Sequence, residues 1–128
     1  MSDEAAIKTA RAFIEAFNDQ DHERLAGTLN YPHVRLANGR FVTVDNAESF
    51  ITRSRKNRAL LADEGWHHTV LGDVRVIHSS PDKVHLALSI DRCHADDSVY
   101  NHFETLWIAT EQNGHWGIQF RSSYLITK

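Results

Sequence analysis

Apolar residues recur at helical spacing over residues 3 to 18, where Ile7, Ala10, Phe13, Ile14 and Phe17 share one face and Asp3 and Glu4 occupy the first turn, which favours anions. Asn18-Asp19-Gln20-Asp21 interrupts that pattern. Asp21 is placed to cap a short second helix that carries Leu25 and Leu29 and must end before Pro32. The stretch His33 to Ala37, the pair Asn38-Gly39 and the stretch Arg40 to Val44 predict a small β-hairpin, because Asn-Gly suits a two-residue turn with positive φ. Asp45 with Glu48 three positions on reads as a capping box opening a third helix to about Asp63, with Phe50, Ile51, Leu60 and Leu61 as its apolar positions and Gly65 as its stop.

From Trp66 onward the pattern changes to long stretches of alternating character, divided by Ser79-Ser80-Pro81-Asp82, Ala95-Asp96-Asp97-Ser98 and Asn113-Gly114. This predicts a four-strand antiparallel meander. The expected fold class is therefore α+β, with three helices from the N-terminal half packed on a strongly curved antiparallel sheet made of the small hairpin and the meander. A two-residue turn at Asn113-Gly114 pairs Ala109 with Ile118, Trp107 with Phe120, Thr105 with Ser122 and Phe103 with Tyr124. The turn before it pairs Leu86 with Trp107, Leu88 with Thr105, Ile90 with Phe103 and Arg92 with Asn101, and the first turn sets Val76 against Leu86, Val74 against Leu88, Val70 against Arg92 and His68 against His94.

Directly opposed side chains share a face. One face is then apolar at one end, with Val74, Val76, Val84, Leu86, Leu88, Trp107, Ile118 and Phe120, and this end should receive the helices. Its other end gathers His68, Arg92, His94 and Asn101, with Thr105, Ser122 and Tyr124 closer in, and Tyr31, His33 and Arg35 are placed to close over it. An apolar concavity with a few convergent polar groups is the usual form of a small-molecule site. The candidate catalytic residues are His68, His94, Arg92 and Tyr124, and the candidate ligand-binding residues are Tyr31, His33, Asn101, Phe103, Thr105, Trp107 and Ser122. The opposite face carries His67, His85, Asp91, Cys93, Tyr100, His102, Glu104, Leu106, Ile108, Arg121 and Leu125, a mixture that suits a homodimer surface, with Glu104 and Arg121 placed to pair diagonally.

Composition narrows the partners. The chain has 128 residues, enough for one domain, read here as residues 1–128. A net charge of −3 gives no global attraction for phosphate backbones, so nucleic acid is not expected as a partner; Arg53, Arg55, Lys56 and Arg58 read as a solvated helix face. No apolar run approaches the ~18 residues that span a bilayer, so no membrane partner is expected. The acidic start Met1-Ser2-Asp3-Glu4 does not resemble a secretory signal, and the lone Cys93 cannot form an internal disulfide, so a cytoplasmic setting is expected. Nine histidines are a rich supply of metal ligands, but binding would require His33, His68 and His94 to converge, and no His-x3-His pair or other recognised ligand motif is present. No metal and no cofactor are expected.

The element order and the stretch Phe13-Ile14-Glu15-Ala16-Phe17-Asn18-Asp19-Gln20-Asp21 resemble the nuclear transport factor 2-like superfamily over essentially the whole chain. The stretch Asn113-Gly114-His115-Trp116-Gly117-Ile118 is similar to the Gly-x-Trp-x-Ile strand opening of its polyketide-cyclase-like (SnoaL-like) members. The resemblance implies a cone-shaped α+β fold, frequent dimerisation through the sheet, and a pocket that serves isomerases, dehydratases, cyclases, epoxide hydrolases and non-enzymes alike. Ketosteroid isomerases of this fold use a helix tyrosine, a strand aspartate base and a protonated strand aspartate. Here Phe13, Leu36 and Thr105 or Trp107 fall near those places. The epoxide hydrolases and the cyclases need strand carboxylates that the predicted inner face lacks. Scytalone dehydratase resembles this chain slightly more, since His68, His94, Tyr31 and Tyr124 match its pocket histidines and tyrosines, while its helix aspartate has no secure match. Two readings of function follow: a small-molecule-binding domain without a defined reaction, or a histidine-based lyase or isomerase acting on a small oxygenated or aromatic substrate, with His68 or His94 as base and Arg92 and Tyr124 stabilising negative charge.

Overall fold

The computed structural model describes residues 1–125. Its elements run α1 (Ser2–Asn18), α2 (His22–Gly27), β1 (Leu29–Ala37), β2 (Arg40–Val44), α3 (Ala47–Glu64), β3 (His68–Ser80), β4 (Lys83–Cys93), β5 (Val99–Gln112) and β6 (His115–Ser123). The strands form one six-stranded sheet in the order β2-β1-β6-β5-β4-β3. This is the α+β fold expected from the residue pattern and the cone that the resemblance implies, with one addition: β1 and β6 pair in parallel, which welds the small hairpin to the meander.

Helix α1 lies across the sheet because Ala6 and Ala10, both fully buried, remove the side-chain bulk that would hold it away, while Phe13, Ile14 and Ala16 fill the space beneath. Its C-terminal end is fastened by Asn18, whose Nδ2 donates to the Thr69 carbonyl at 2.9 Å and whose Oδ1 accepts from the Thr69 amide at 2.7 Å. Helix α2 is capped by Asp21 as expected, but it stops at Gly27; Leu29 belongs to β1, not to the helix. Helix α3 is capped by Asn46, whose Oδ1 accepts from the Ser49 amide at 2.9 Å, one position later than the Asp45-Glu48 box. Gly65 ends α3 in the left-handed conformation, φ 80°. Only Phe50 and Leu61 of α3 are buried, and Leu60 is 60% exposed, so this helix contributes little more than these two side chains to the core.

The core is built on Val84, Leu86, Leu88, Trp107, Ala109 and Ile118 from the sheet, packed against α1 and Leu25, Ala26 and Leu29. The β4–β5 register is the expected one from Leu86↔Trp107 through Arg92↔Asn101. The other two registers carry bulges, which insert one unpaired residue and turn every side chain beyond it to the other face. On β3 the shift between Leu71 and Val74 replaces the expected Val70–Arg92 and His68–His94 pairs by Thr69↔Arg92 and His68↔Cys93. Thr69 therefore faces inward and is buried, and His68 points away. On β6 the pairing runs Ala109↔Ile118, then Ile108↔Phe120 and Trp107↔Arg121, leaving Gln119 as the extra residue. Phe120 and Ser122, expected inside, lie on the outer face, and Arg121 and Ser123 take their places within. Arg121 consequently does not pair with Glu104, which instead meets His102 Nε2 at 3.3 Å. Cys93, placed on the outer face by the strand pattern, is buried at 2% exposure.

Gly117 permits the crossing of β1 over β6. A Cβ added there would stand 2.5 Å from the Leu29 carbonyl carbon and 2.7 Å from the Asn30 amide nitrogen, both backbone atoms with no rotamer to retreat into. Gly117→Ala is expected to destabilise the fold by about 2 kcal/mol or more, in the range of overpacking substitutions. Chemical denaturation should show the lowered midpoint.

Candidate functional site

Between the concave face of the sheet and the three helices lies a cavity of about 300 Å³. Phe13 and Phe17 of α1, Leu25 of α2, Val42 and Val44 of β2, and Phe50, Leu60 and Leu61 of α3 supply its apolar wall. Gln20, His22, Ser54 and Asn57 edge it with polar groups, and Arg53 and Lys56, one turn apart on α3, border it as well. Its strand side holds His33 and Arg35 from β1, Arg92 from β4 and Arg121 from β6. A smaller space of about 30 Å³ shares Phe13, Phe17, Arg35, Arg92 and Arg121 and reaches Ile90, Phe103, Trp107 and Ser123.

His33 and Arg121 are joined. The His33 Nδ1 lies 2.9 Å from the Ile118 carbonyl oxygen, an acceptor only, so Nδ1 carries the proton and donates. Nε2 is then the bare acceptor, and it takes the Arg121 Nε–H at 3.1 Å. His33 is 1% exposed. Burial first, then the adjacent Arg121 cation, pushes its imidazole from the usual 6.5 down to about 3, against the opposing pull of the Ile118 carbonyl. The Arg121 guanidinium carbon stands 5.0 Å from the centre of the Phe13 ring, which in turn meets Trp107 edge to face at 4.7 Å. Arg92 lies 5.6 Å from the Phe103 ring, and its side chain is only 13% exposed. Arg35 Nε is shut off from solvent and has no hydrogen-bond partner among the described residues.

Of the residues singled out in the sequence for the site, His33, Arg35, Arg92, Phe103 and Trp107 border these two spaces. The others do not. His68 sits beyond the β3 bulge with Nε2 3.2 Å from Asp97 Oδ1. His94 donates from Nδ1 to the Gly65 carbonyl at 2.8 Å and stacks on Tyr100 outside the cavity. Tyr124 is 74% exposed. Tyr31 turns its hydroxyl to the Ala26 carbonyl at 2.9 Å, and burial raises its phenol to about 12. Asn101 keeps a buried Oδ1 with no partner among the described residues, away from both spaces. Thr105 is buried beneath Trp107, taking its indole N–H at 3.1 Å and donating to the Ser122 carbonyl at 2.9 Å, while the Ser122 side chain faces outward beyond the bulge. His33, His68 and His94 therefore stand apart, and among the described residues no cluster of three or more His, Cys, Asp or Glu is placed to hold a metal ion.

The strand pattern did not point to Arg121, His22 or the α3 cations as cavity residues. Arg121 was concealed because Trp116, Ile118 and Phe120 alternate as a regular strand would, with no Gly at Gln119 to mark the bulge. Only Gly117 two positions earlier hinted at irregularity. His22 lies in the first turn of α2 with Nε2 3.0 Å from Gln20 Oε1; burial, then Arg55 and Arg58, lowers its pKa.

The same architecture occurs in solved structures of distant sequence. A Nostoc punctiforme protein of unknown function with a cystatin-like fold is similar at a TM-score of 0.78 and 11% identity, over 98% of this chain and 92% of that one. An NTF2-like protein with a cystatin-like fold from Novosphingobium aromaticivorans reaches 0.77 at 18% identity, over 98% and 82% of the two chains. A ketosteroid isomerase-like protein from Erwinia carotovora atroseptica reaches 0.70 at 16% identity, over 98% and 96%. At such identities the likeness establishes the fold and leaves the chemistry to the site. Among curated proteins none matches the chain by sequence. The family described as NTF2-like protein (DUF6841) matches residues 4–122, and this chain belongs to that family.

Proposed function

We propose that this protein is a small-molecule-binding domain whose ligand occupies the cavity between the helices and the concave face of the sheet. The observation that carries this reading is the combination of an apolar wall, built from Phe13, Phe17, Leu25, Phe50 and Leu61, with a lining arginine, Arg35, whose buried Nε has no partner among the described residues. Buried polar groups are rarely left without partners, and a ligand is one way to supply them. The histidine-based lyase or isomerase reading has less behind it: His68 and His94 lie off the cavity, and His33 commits both ring nitrogens within the protein. His33 acts as a positioning residue that holds Arg121, and general-base chemistry would need the lone pair that Arg121 occupies.

Two further elements belong to this reading. The Gly114-His115-Trp116-Gly117-Ile118 opening of β6 supports a place in the polyketide-cyclase-like branch of the family. The outer face of the sheet supports pairing of two copies, because the β6 bulge turns Phe120 outward beside Ile108 and Val34, with Leu106 close by. The single, buried Cys93 suits a reducing cytoplasm, and among the described residues no helix is long and apolar enough to cross a membrane.

Three outcomes are expected. A broad panel of metabolites screened by thermal unfolding should contain compounds that stabilise the protein saturably, by about 2.7 kcal/mol at a hundredfold excess over Kd, and Ser54→Trp on α3 should abolish the effect by filling the cavity; a panel without a single stabilising compound would count against the reading. Because the unfolded chain binds a proton near pH 6.5 that folded His33 refuses until about pH 3, stability from this residue is present above 6.5 and lost as pH falls through that window, by roughly 1 kcal/mol per pH unit. His33→Gln, which can still donate to Ile118 and accept from Arg121, should therefore show a flatter stability profile between pH 6.5 and 4 in denaturation experiments. Sedimentation equilibrium should give a dimer that Phe120→Glu converts to monomer, and a monomeric parent protein would remove the pairing.

A further inference from the structure

Cations surround this cavity, and among the described residues only Arg92 of them has a carboxylate within 4 Å. Arg35, Arg92 and Arg121 face it from three different strands, Arg53 and Lys56 border it from α3, and no Asp or Glu is among the residues that line it. Arg92 has one acidic neighbour, Glu64 at 3.5 Å, but that oxygen is outside the cavity lining and already accepts the Tyr100 hydroxyl at 2.7 Å. Arg121 has a neutral imidazole and the face of a phenyl ring as its partners, neither of which cancels a full charge. The three guanidiniums oppose one another: burial and then the Arg35 and Arg92 cations lower the pKa of Arg121 well below its usual value, and burial followed by Arg92 and Arg53 lowers Arg35 to about 10. Arginine does not relieve such repulsion by giving up a proton. Buried charges kept close together without counter-charges cost stability, and an anion seated among them removes that cost.

We propose that the ligand is a small organic acid, its carboxylate held by the Arg35, Arg92 and Arg121 guanidiniums and its apolar or aromatic body against Phe13, Phe17 and Phe50. This rests on the small-molecule-binding reading above and adds the charge of the ligand to it. A planar guanidinium fork matches a carboxylate with two parallel hydrogen bonds, which a neutral amide cannot accept in the same way. The body is required by the other half of the cavity, since a bare inorganic oxyanion would leave the apolar wall uncovered. Arg53 and Lys56 on the rim add a positive field that draws such an anion inward.

The test compares acids with their own amides at constant ionic strength: benzoate with benzamide, phenylacetate with phenylacetamide, cyclohexanecarboxylate with its amide, and inorganic phosphate alone. Thermal unfolding and calorimetry are read on the parent protein, on Arg35→Gln, which removes a charge but no protein hydrogen bond at Nε, and on Arg92→Gln. At least one acid is expected to bind saturably with its amide tenfold or more weaker. Both variants should lose tenfold or more in affinity for that acid, while unliganded Arg35→Gln melts no lower than the parent. Equal binding of acids and amides would overturn the anion and leave the small-molecule reading standing. Protection by phosphate in preference to every acid would overturn the carboxylate. If neither acids, amides nor phosphate bind, this proposal fails; a separate failure of the broad metabolite panel would remove the small-molecule reading as well.

Discussion

A single unpaired residue, Gln119, governs how the two faces of this sheet are divided. Where β6 would otherwise continue from Ile118 in step with β5, the bulge at Gln119 advances the strand by one, and the side chains beyond it exchange faces. Arg121 and Ser123 enter the interior, and Phe120 and Ser122 leave it. The bulge is held by its own side chain: Gln119 Nε2 donates to the Pro32 carbonyl at 3.1 Å and its Oε1 accepts from Thr110 at 2.8 Å, tying β6 to both neighbours. The same strand carries Gly117, whose lack of a side chain lets β1 pass close enough to pair in parallel. Without this irregular β6, Arg121 would lie on the outside and His33 would have no cation to hold.

The consequences run inward through hydrogen bonds of fixed direction. The Ile118 carbonyl sets the His33 tautomer, His33 presents a lone pair to Arg121, and Arg121 lies over Phe13, which packs on Trp107. Ile118, His33, Phe13 and Trp107 are buried and Arg121 is partly so, which strengthens the hydrogen bonds that orient each group on the next. The place that resembles the isomerase tyrosine is filled here by a phenyl ring whose face meets a cation.

The legibility of the molecule in its sequence differs sharply between its parts. The helical spacing from Ile7 to Phe17, the Asp21 cap, the Asn38-Gly39 and Asn113-Gly114 turns and the Gly65 stop are local signals, and each corresponds to an element end or turn in the structure. The β4–β5 register was legible for the same reason, since a tight connection and a regular alternation leave one pairing that buries Leu86, Leu88 and Trp107 together. The α3 cap moved by one residue because Asp45 and Asn46 are both competent caps and only packing chooses between them.

The candidate site lay beyond such signals. Carrying a regular alternation through Gly72 puts His68 inside, but β3 bulges there against Ser89 and turns Thr69 inward; carrying one past Arg92 puts His94 inside, but the β4–β5 register shifts there and β4 ends at Cys93. The same assumption on β6 puts Arg121 outside. The elements, their order, the apolar core and the α+β class follow from period, composition and turn chemistry within a few residues of each position. Which polar side chains face the cavity depends on contacts between strands distant in sequence. A bulge costs one unpaired residue locally but is repaid by contacts with strands far away in sequence, here Pro32 and Thr110, and no local pattern records those contacts.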